Sequence, residues 1–257
     1  MQQQLPKVER TVCPLCKSGD YAVRHSIDNH SIVTCKKCKF EYVIDPIDWS
    51  KTQTGSAAKK RMVRPRHQIL ANYARSCGAK SVLEVGSGVG ELGLVLTGQG
   101  FSYVGVEPDQ QRAISCQEIG LDVRAMSLEE LSPNQKADLI VIDNVLEHVL
   151  EPIGVLKESQ KHLNPDGSII VVVPNRKDVR QVMPSWRKKN LWVPKVHVNY
   201  FTGKSLRRSL TLSGLQAGNL PGSSFRRSNS VTRRMIGLLN SVGVFPFGIY
   251  MFGKMPE

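Results

Sequence analysis

The chain has 257 residues, 40% of them hydrophobic, and carries 35 Lys and Arg against 22 Asp and Glu, a formal net charge of +13. That length holds one α/β domain of ordinary size with a small appendage, and the apolar share is enough for a buried core. The start, Met1-Gln2-Gln3-Gln4-Leu5-Pro6, has no apolar run for a signal peptide, and nothing later offers about 20 uninterrupted apolar residues, so a cytoplasmic chain without a membrane span is expected. The positive excess favours an anionic partner: RNA, a phosphorylated or nucleotide-linked substrate, or an acidic membrane face.

Four of the six cysteines form two C-x-x-C pairs, Cys13 with Cys16 and Cys35 with Cys38, separated by 18 residues. This spacing suits a tetrahedral structural zinc ion with every position filled by a thiolate and none left open for catalysis. The residues between the pairs are rich in Val, Ile, His and Tyr and can form a hairpin, so 1–45 reads as a zinc ribbon whose stability comes mostly from metal. His25 and His30 lie between the knuckles and are not needed as ligands. Cys77 and Cys116 stand alone and read as small core or helix residues. Residues 46–66 lack apolar periodicity, hold Trp49 and Gly55, and end in a basic run, Lys59-Lys60-Arg61 with Arg64 and Arg66; they read as a linker.

A first helix is predicted over 67–75 and a first strand over 81–85. That strand runs into Gly86, Gly88 and Gly90, whose spacing lets backbone approach a ligand while the next helix points its free amides at it. A dinucleotide fingerprint would require glycine at position 91, where Glu91 stands instead. Glu84 precedes the turn and can accept hydrogen bonds from an ammonium group. A second strand, 103–106, ends at Glu107, 21 residues after Gly86, where a carboxylate can accept from both hydroxyls of a ribose. Strands over 138–142 and 168–173 then alternate with helices over 92–97, 110–120 and 152–162, and an Asn164-Pro165-Asp166-Gly167 turn precedes the last of these strands. Such alternation predicts a mostly parallel sheet covered on both faces. A helix over 205–212, a turn over 214–218 into a sixth strand, and a helix, turn and final strand in the apolar tail 235–251 complete a seven-stranded α/β fold. Peripheral membrane association is the alternative reading of that tail.

The E-x-G-x-G-x-G pattern of Glu84 to Gly90 resembles motif I of class I S-adenosylmethionine-dependent methyltransferases. The later motifs, Pro174-Asn175 after the fifth strand and His197-x-Asn199-Tyr200-Phe201-Thr202 ahead of the next helix, resemble those of small-molecule and sugar methyltransferases. The resemblance covers 67–257 and implies a Rossmann-like domain, with 176–203 as a substrate-pocket insertion. By position it implies that Glu84, Gly86, Gly88 and Gly90 line the methionine and ribose portion of S-adenosylmethionine. Glu107 would then hold the ribose, and Met126 and Ser127 would lie near adenine. Where the family usually has an acid near this last position, the chain has Ala125-Met126-Ser127.

Asp143 and Asn144 close the fourth strand, where cofactor sulfur and acceptor meet. Some relatives carry E-x-x-E-H here and hold a divalent metal with it; this chain has Asn144 in place of the first Glu, leaving Glu147 and His148 to fix the loop. Methyl transfer to a hydroxyl needs alignment and a proton acceptor. His197 in the insertion is the first choice of base and His148 the second, with Tyr200 and Trp186 as residues that either shape the acceptor pocket or sit in the core. The expected acceptor is a polar small molecule, foremost a sugar hydroxyl. The zinc module and basic linker also resemble zinc-finger ribosomal RNA guanine methyltransferases, which makes RNA the alternative. A non-catalytic zinc-ribbon adaptor with a degenerate cofactor fold is the third.

Overall fold

A computed structural model describes residues 7–47, 61–178, 192–219 and 249–256. Trp49, Trp186, the Arg187-Lys188-Lys189 cluster, the Arg pairs at 226–227 and 233–234, and the helix and turn expected between 235 and 248 lie outside the described residues.

At the N-terminus, β1 (Tyr21–Ile27) and β2 (His30–Cys35) form an antiparallel hairpin. Its two-residue turn, Asp28-Asn29, has φ of 49° and 60°, left-handed values that short Asp and Asn side chains tolerate. β3 (Glu41–Val43) pairs with β2. Each cysteine pair forms a tight knuckle: the Lys17 amide donates to Cys13 O and the Lys39 amide to Cys35 O, both at 2.9 Å, with both lysines at positive φ.

The main sheet has seven strands. β4 (Ser81–Val85), β5 (Ser102–Val106), β6 (Val123–Arg124), β7 (Ala137–Asp143) and β8 (Leu163–Val173) run parallel; β10 (Gln216–Asn219) and β11 (Ile249–Lys254) join antiparallel, in the order β10-β11-β8-β7-β4-β5-β6. The central strands are buried on both faces, which explains their continuous Val, Ile and Leu runs. Helices α1 (Pro65–Ser76), α2 (Glu91–Gly98), α3 (Gln110–Gln117) and α4 (Pro152–Gln160) follow the expected alternation, and α5 (Gly203–Leu212) precedes β10. α5 starts in a capping box: the Ser205 amide donates to Thr202 Oγ1 at 3.2 Å and the Thr202 amide to Ser205 Oγ at 2.8 Å. Among the described residues no helix is long and apolar enough to cross a membrane.

The structure departs from the sequence expectation in three places. β6 is only two residues long, too short for periodicity to reveal. The expected 164–167 turn is absorbed into β8: pairing jumps from Ala137 opposite Leu163 to Leu139 opposite Ser168, with the extra residues bulged out around Asp166 at φ 62°. Most consequential, β9 (Asn199–Tyr200) pairs with β3 and completes the sheet of the cysteine module, in the order β1-β2-β3-β9.

The module and the main domain therefore share one core. Phe40 and Tyr42 are buried with Leu146, Leu156, Phe201 and Leu206, and the Phe40 and Phe201 rings lie 5.2 Å apart. Truncating an aromatic side chain packed this closely costs about 3–5 kcal/mol. Tyr200, read from sequence as a residue of pocket or core, belongs to a core: with Trp192, Val198, Ile32 and Val43 it fills a satellite cluster beneath the hairpin, and its buried hydroxyl has no hydrogen-bond partner among the described residues.

Candidate active site

In an open parallel sheet the binding crevice forms at the carboxyl ends of the strands where chain direction switches, here between β4 and β7. The turn after β4 is built by steric necessity. Gly86 has φ 71°, and a Cβ there would stand 2.6 Å from Val145 Cγ2; Gly90, with φ 79° at the N-cap of α2, would meet Leu121 Cδ1 at 2.6 Å. The first contact matters for chemistry, because it brings the loop after β7 directly onto the glycine turn. A Cβ at Gly88 would meet nothing within 4 Å, so the turn leaves open space at its middle.

Glu107, just beyond β5, accepts the Gly88 amide on Oε2 at 2.8 Å and the Asp109 amide on Oε1 at 3.1 Å. Burial pushes its carboxyl up, while those two amides pull it back. Each oxygen keeps a second acceptor position. Met126 and Ser127 follow β6, whose end is tied to Glu107 by the Glu107 amide donating to Arg124 O at 3.0 Å; Ser127 then caps a short 3₁₀ turn, Leu128–Glu130. Glu84 points inward and is 4% exposed. It accepts a 2.6 Å hydrogen bond from the Tyr103 hydroxyl, and burial pushes its carboxyl up to about 8.

Asp143 ends β7 and is held by two donors, Arg66 Nε and Asn144 Nδ2, each at 2.9 Å. His67 stands 3.9 Å away, but burial lowers its imidazole to about 4, so the cation on Asp143 is Arg66. Composition had placed Arg66 in a basic linker; nothing in its sequence context signals that α1 carries it to the end of β7.

Beyond Asn144, which has φ 56°, the loop presents Glu147 and His148. The His148 and His197 rings meet edge to face with centroids 5.0 Å apart, and donor atoms of Glu147, His148 and His197 all lie within 4.8 Å of one another. His148 Nδ1 is 2.9 Å from Val196 O and its Nε2 is 3.7 Å from Glu147 Oε1. Glu147 is 1% exposed, neither carboxylate oxygen has a partner among the described residues, and burial pushes the group up to about 8. At neutral pH it is therefore chiefly protonated, and the contact with His148 is dipolar rather than an ion pair. One carboxyl and two imidazoles are also a donor set of the kind that divalent cations accept. Sequence reading named both histidines; their meeting, 49 residues apart in the chain, came only with the fold.

In the cysteine module the four Sγ atoms lie within 4.8 Å of one another, with Cys13 to Cys38 at 3.6 Å and Cys16 to Cys35 at 3.5 Å. Tetrahedral zinc–thiolate bonds of about 2.3 Å imply sulfur separations of about 3.8 Å, so the cluster fits such an ion. Burial raises the Cys35 thiol, but the Cys38 amide and the neighbouring thiols outweigh it and bring the group down to about 7. His25 packs on Trp192 and His30 faces Asp45 O, so neither is in the cluster.

A seven-stranded sheet of this order, with a glycine turn after its first parallel strand and an acid after its second, is the arrangement of class I methyltransferases. A family model described as "Methyltransferase domain" matches residues 56–218, and the chain belongs to that family of S-adenosylmethionine-dependent methyltransferases. It is 30% identical over 105 residues to a ubiquinone biosynthesis O-methyltransferase of Bradyrhizobium diazoefficiens, covering 38% of this chain and 42% of that protein. A Rickettsia canadensis protein of the same description is 23% identical over 219 residues, covering 80% of this chain and 79% of the other. The chain spans about half the length of the first curated relatives it matches. Among solved structures, the plantazolicin methyltransferase BpumL in complex with SAH superposes with a TM-score of 0.54 at 14% identity, covering 74% of this chain and 82% of that one, which shows the shared fold.

Proposed function

We propose that this chain transfers the methyl group of S-adenosylmethionine to a hydroxyl oxygen of a polar small molecule, a sugar hydroxyl in glycan or secondary-metabolite assembly. The observation that carries hydroxyl chemistry is the His148–His197 pair, set beside the buried Glu147 carboxyl on the loop that touches the glycine turn. The name O-methyltransferase borne by several relatives supports oxygen as the accepting atom.

The cofactor supplies a methyl group already activated on a sulfonium, so the protein's task is alignment and proton removal. Gly86, Gly88 and Gly90 line the methionine and ribose portion, and Glu84 receives the ammonium. Glu107 accepts from the ribose hydroxyls with the lone pairs its two backbone amides leave free. Met126 and Ser127 flank adenine, and Asp143 and Asn144 line the reacting centre. His197 takes the hydroxyl proton, with His148 beside it as second base. Cys13, Cys16, Cys35 and Cys38 hold one structural zinc ion in a closed site.

Labelled cofactor offered to sugar-nucleotide and RNA pools tests the assignment. Label is expected in the sugar-nucleotide pool. Label appearing in RNA alone would overturn the small-molecule reading, and the net charge of +13 is the reason RNA is included. A chain that binds no S-adenosylmethionine would be an adaptor.

A further inference from the structure

The loop that bears Glu147 and His148 is held jointly by Arg10 of the cysteine module and by residues 198–199, which lead into the strand paired with that module. Arg10, three residues before the first knuckle, is fixed in the cysteine module by its amide, which donates to Ile44 O at 2.7 Å. Its side chain is buried and crosses to the main domain. Nη1 donates to Val198 O at 3.1 Å and Asn199 Oδ1 at 3.2 Å, and Nη2 to Val149 O at 3.3 Å and to Leu150 O. Asn199, oriented by Arg10 and by its place in β9, donates through Nδ2 to Leu146 O at 2.8 Å and Val149 O at 2.7 Å. The amides of Val198 and Asn199 both reach Glu147 O, at 2.7 and 3.1 Å.

The carbonyls of Leu146, Glu147, Val149 and Leu150 thus all point at donors from Arg10 or from 198–199. A guanidinium has five N–H groups in a rigid fork and can satisfy several carbonyls at once; a shorter or more flexible cation cannot. Burial lowers this guanidinium only to about 10, so it stays charged at neutral pH and its hydrogen bonds are of the stronger, charge-assisted kind.

We infer that Arg10 is a positioning residue: the cysteine module is a structural half of the active site, and through Arg10 and Asn199 it sets where the Glu147–His148 loop presents His148 to His197. This rests on the base assignment above for its catalytic meaning. Arg10 itself touches no reacting group.

The test uses the full zinc-loaded chain as wild type, Arg10→Met and Arg10→Lys. Hydrogen–deuterium exchange over 146–150 should quicken about tenfold in Arg10→Met and less in Arg10→Lys, because the loop loses its guanidinium partners at Val149 O and Leu150 O while the rest of the fold keeps its own. The ring-proton resonances of His148 should move in the same order, a signature that mere loss of stability would not give. Zinc content and calorimetric affinity for S-adenosylmethionine should stay at wild-type level. If Arg10→Met does not fold, Arg10→Lys and Asn199→Ala, which removes the Nδ2 bonds from the other side, carry the same measurements. Folded, zinc-loaded variants with unchanged loop exchange and unchanged His148 resonances would overturn the proposal, and so would a parallel loss of cofactor binding. Neither readout needs an acceptor. Failure of the base assignment would appear separately, as unchanged turnover in His197→Ala and His148→Ala.

Discussion

Replacing Glu84 by glutamine should stabilise the cofactor-free protein at neutral pH and do nothing at acid pH. The carboxyl sits at about 8 in the fold against an ordinary value of 4.5, because burial disfavours its charged form. Below pH 4.5 folded and unfolded chains both hold the proton and the group is neutral in its effect. As pH rises from there towards 8 the unfolded chain releases the proton and the folded chain keeps it, so stability falls by about 1.4 kcal/mol per pH unit and then levels off. At pH 7 the accumulated cost is about 3 kcal/mol. Glutamine has the same shape, accepts the Tyr103 hydroxyl equally well and cannot ionise. Urea denaturation of the two proteins without cofactor, from pH 4.5 to 8.5, should show a gap that opens from near zero through about 3 kcal/mol at pH 7 to about 4–5 kcal/mol at pH 8.5 in favour of Glu84→Gln. Glu147 imposes the same slope on both chains and cancels in the difference. A gap independent of pH, or a variant less stable than wild type at pH 8, would refute the reasoning.

Cofactor binding should release about one proton at pH 7 as Glu84 ionises against the ammonium, seen as a calorimetric enthalpy that tracks the ionisation enthalpy of the buffer; Glu84→Gln should lose that dependence. Glu107→Ala should weaken S-adenosylmethionine binding by roughly 1.5–3 kcal/mol, the scale of hydrogen bonds to a charged acceptor, and a calorimetric affinity equal to wild type would remove the ribose assignment. One zinc per chain is expected by elemental analysis; Cys35→Ser should release it and expose the first 45 residues to protease, and a metal-free protein with a protease-resistant N-terminus would contradict this. His197→Ala should lower turnover about 10²–10⁴-fold with little change in cofactor affinity once the acceptor is in hand, whereas undiminished turnover would move the base to His148.

The seven-stranded α/β architecture was legible in the chain because its signals are local. A strand buried on both faces reads as a continuous apolar run, Gly86 and Gly90 are required by the backbone conformation of one turn, and the two C-x-x-C pairs each close on themselves within five residues. Tertiary structure alone decided what those signals meet. Nothing near Arg10 in sequence indicates that it will cap carbonyls 139 and 140 residues away, nor anything near Arg66 that it will pair with Asp143. His148 and His197 become neighbours where the amides of Val198 and Asn199 bond Glu147 O, on a segment whose strand β9 pairs with β3 of the cysteine module and not with the main sheet. Two residues of strand carry no periodicity, and a hydrogen bond between distant carbonyls and a guanidinium leaves no mark on the intervening chain. Residue types and their spacing thus determined the glycine turn and the cysteine cluster, while long-range burial and hydrogen bonding decided which side chains meet around them.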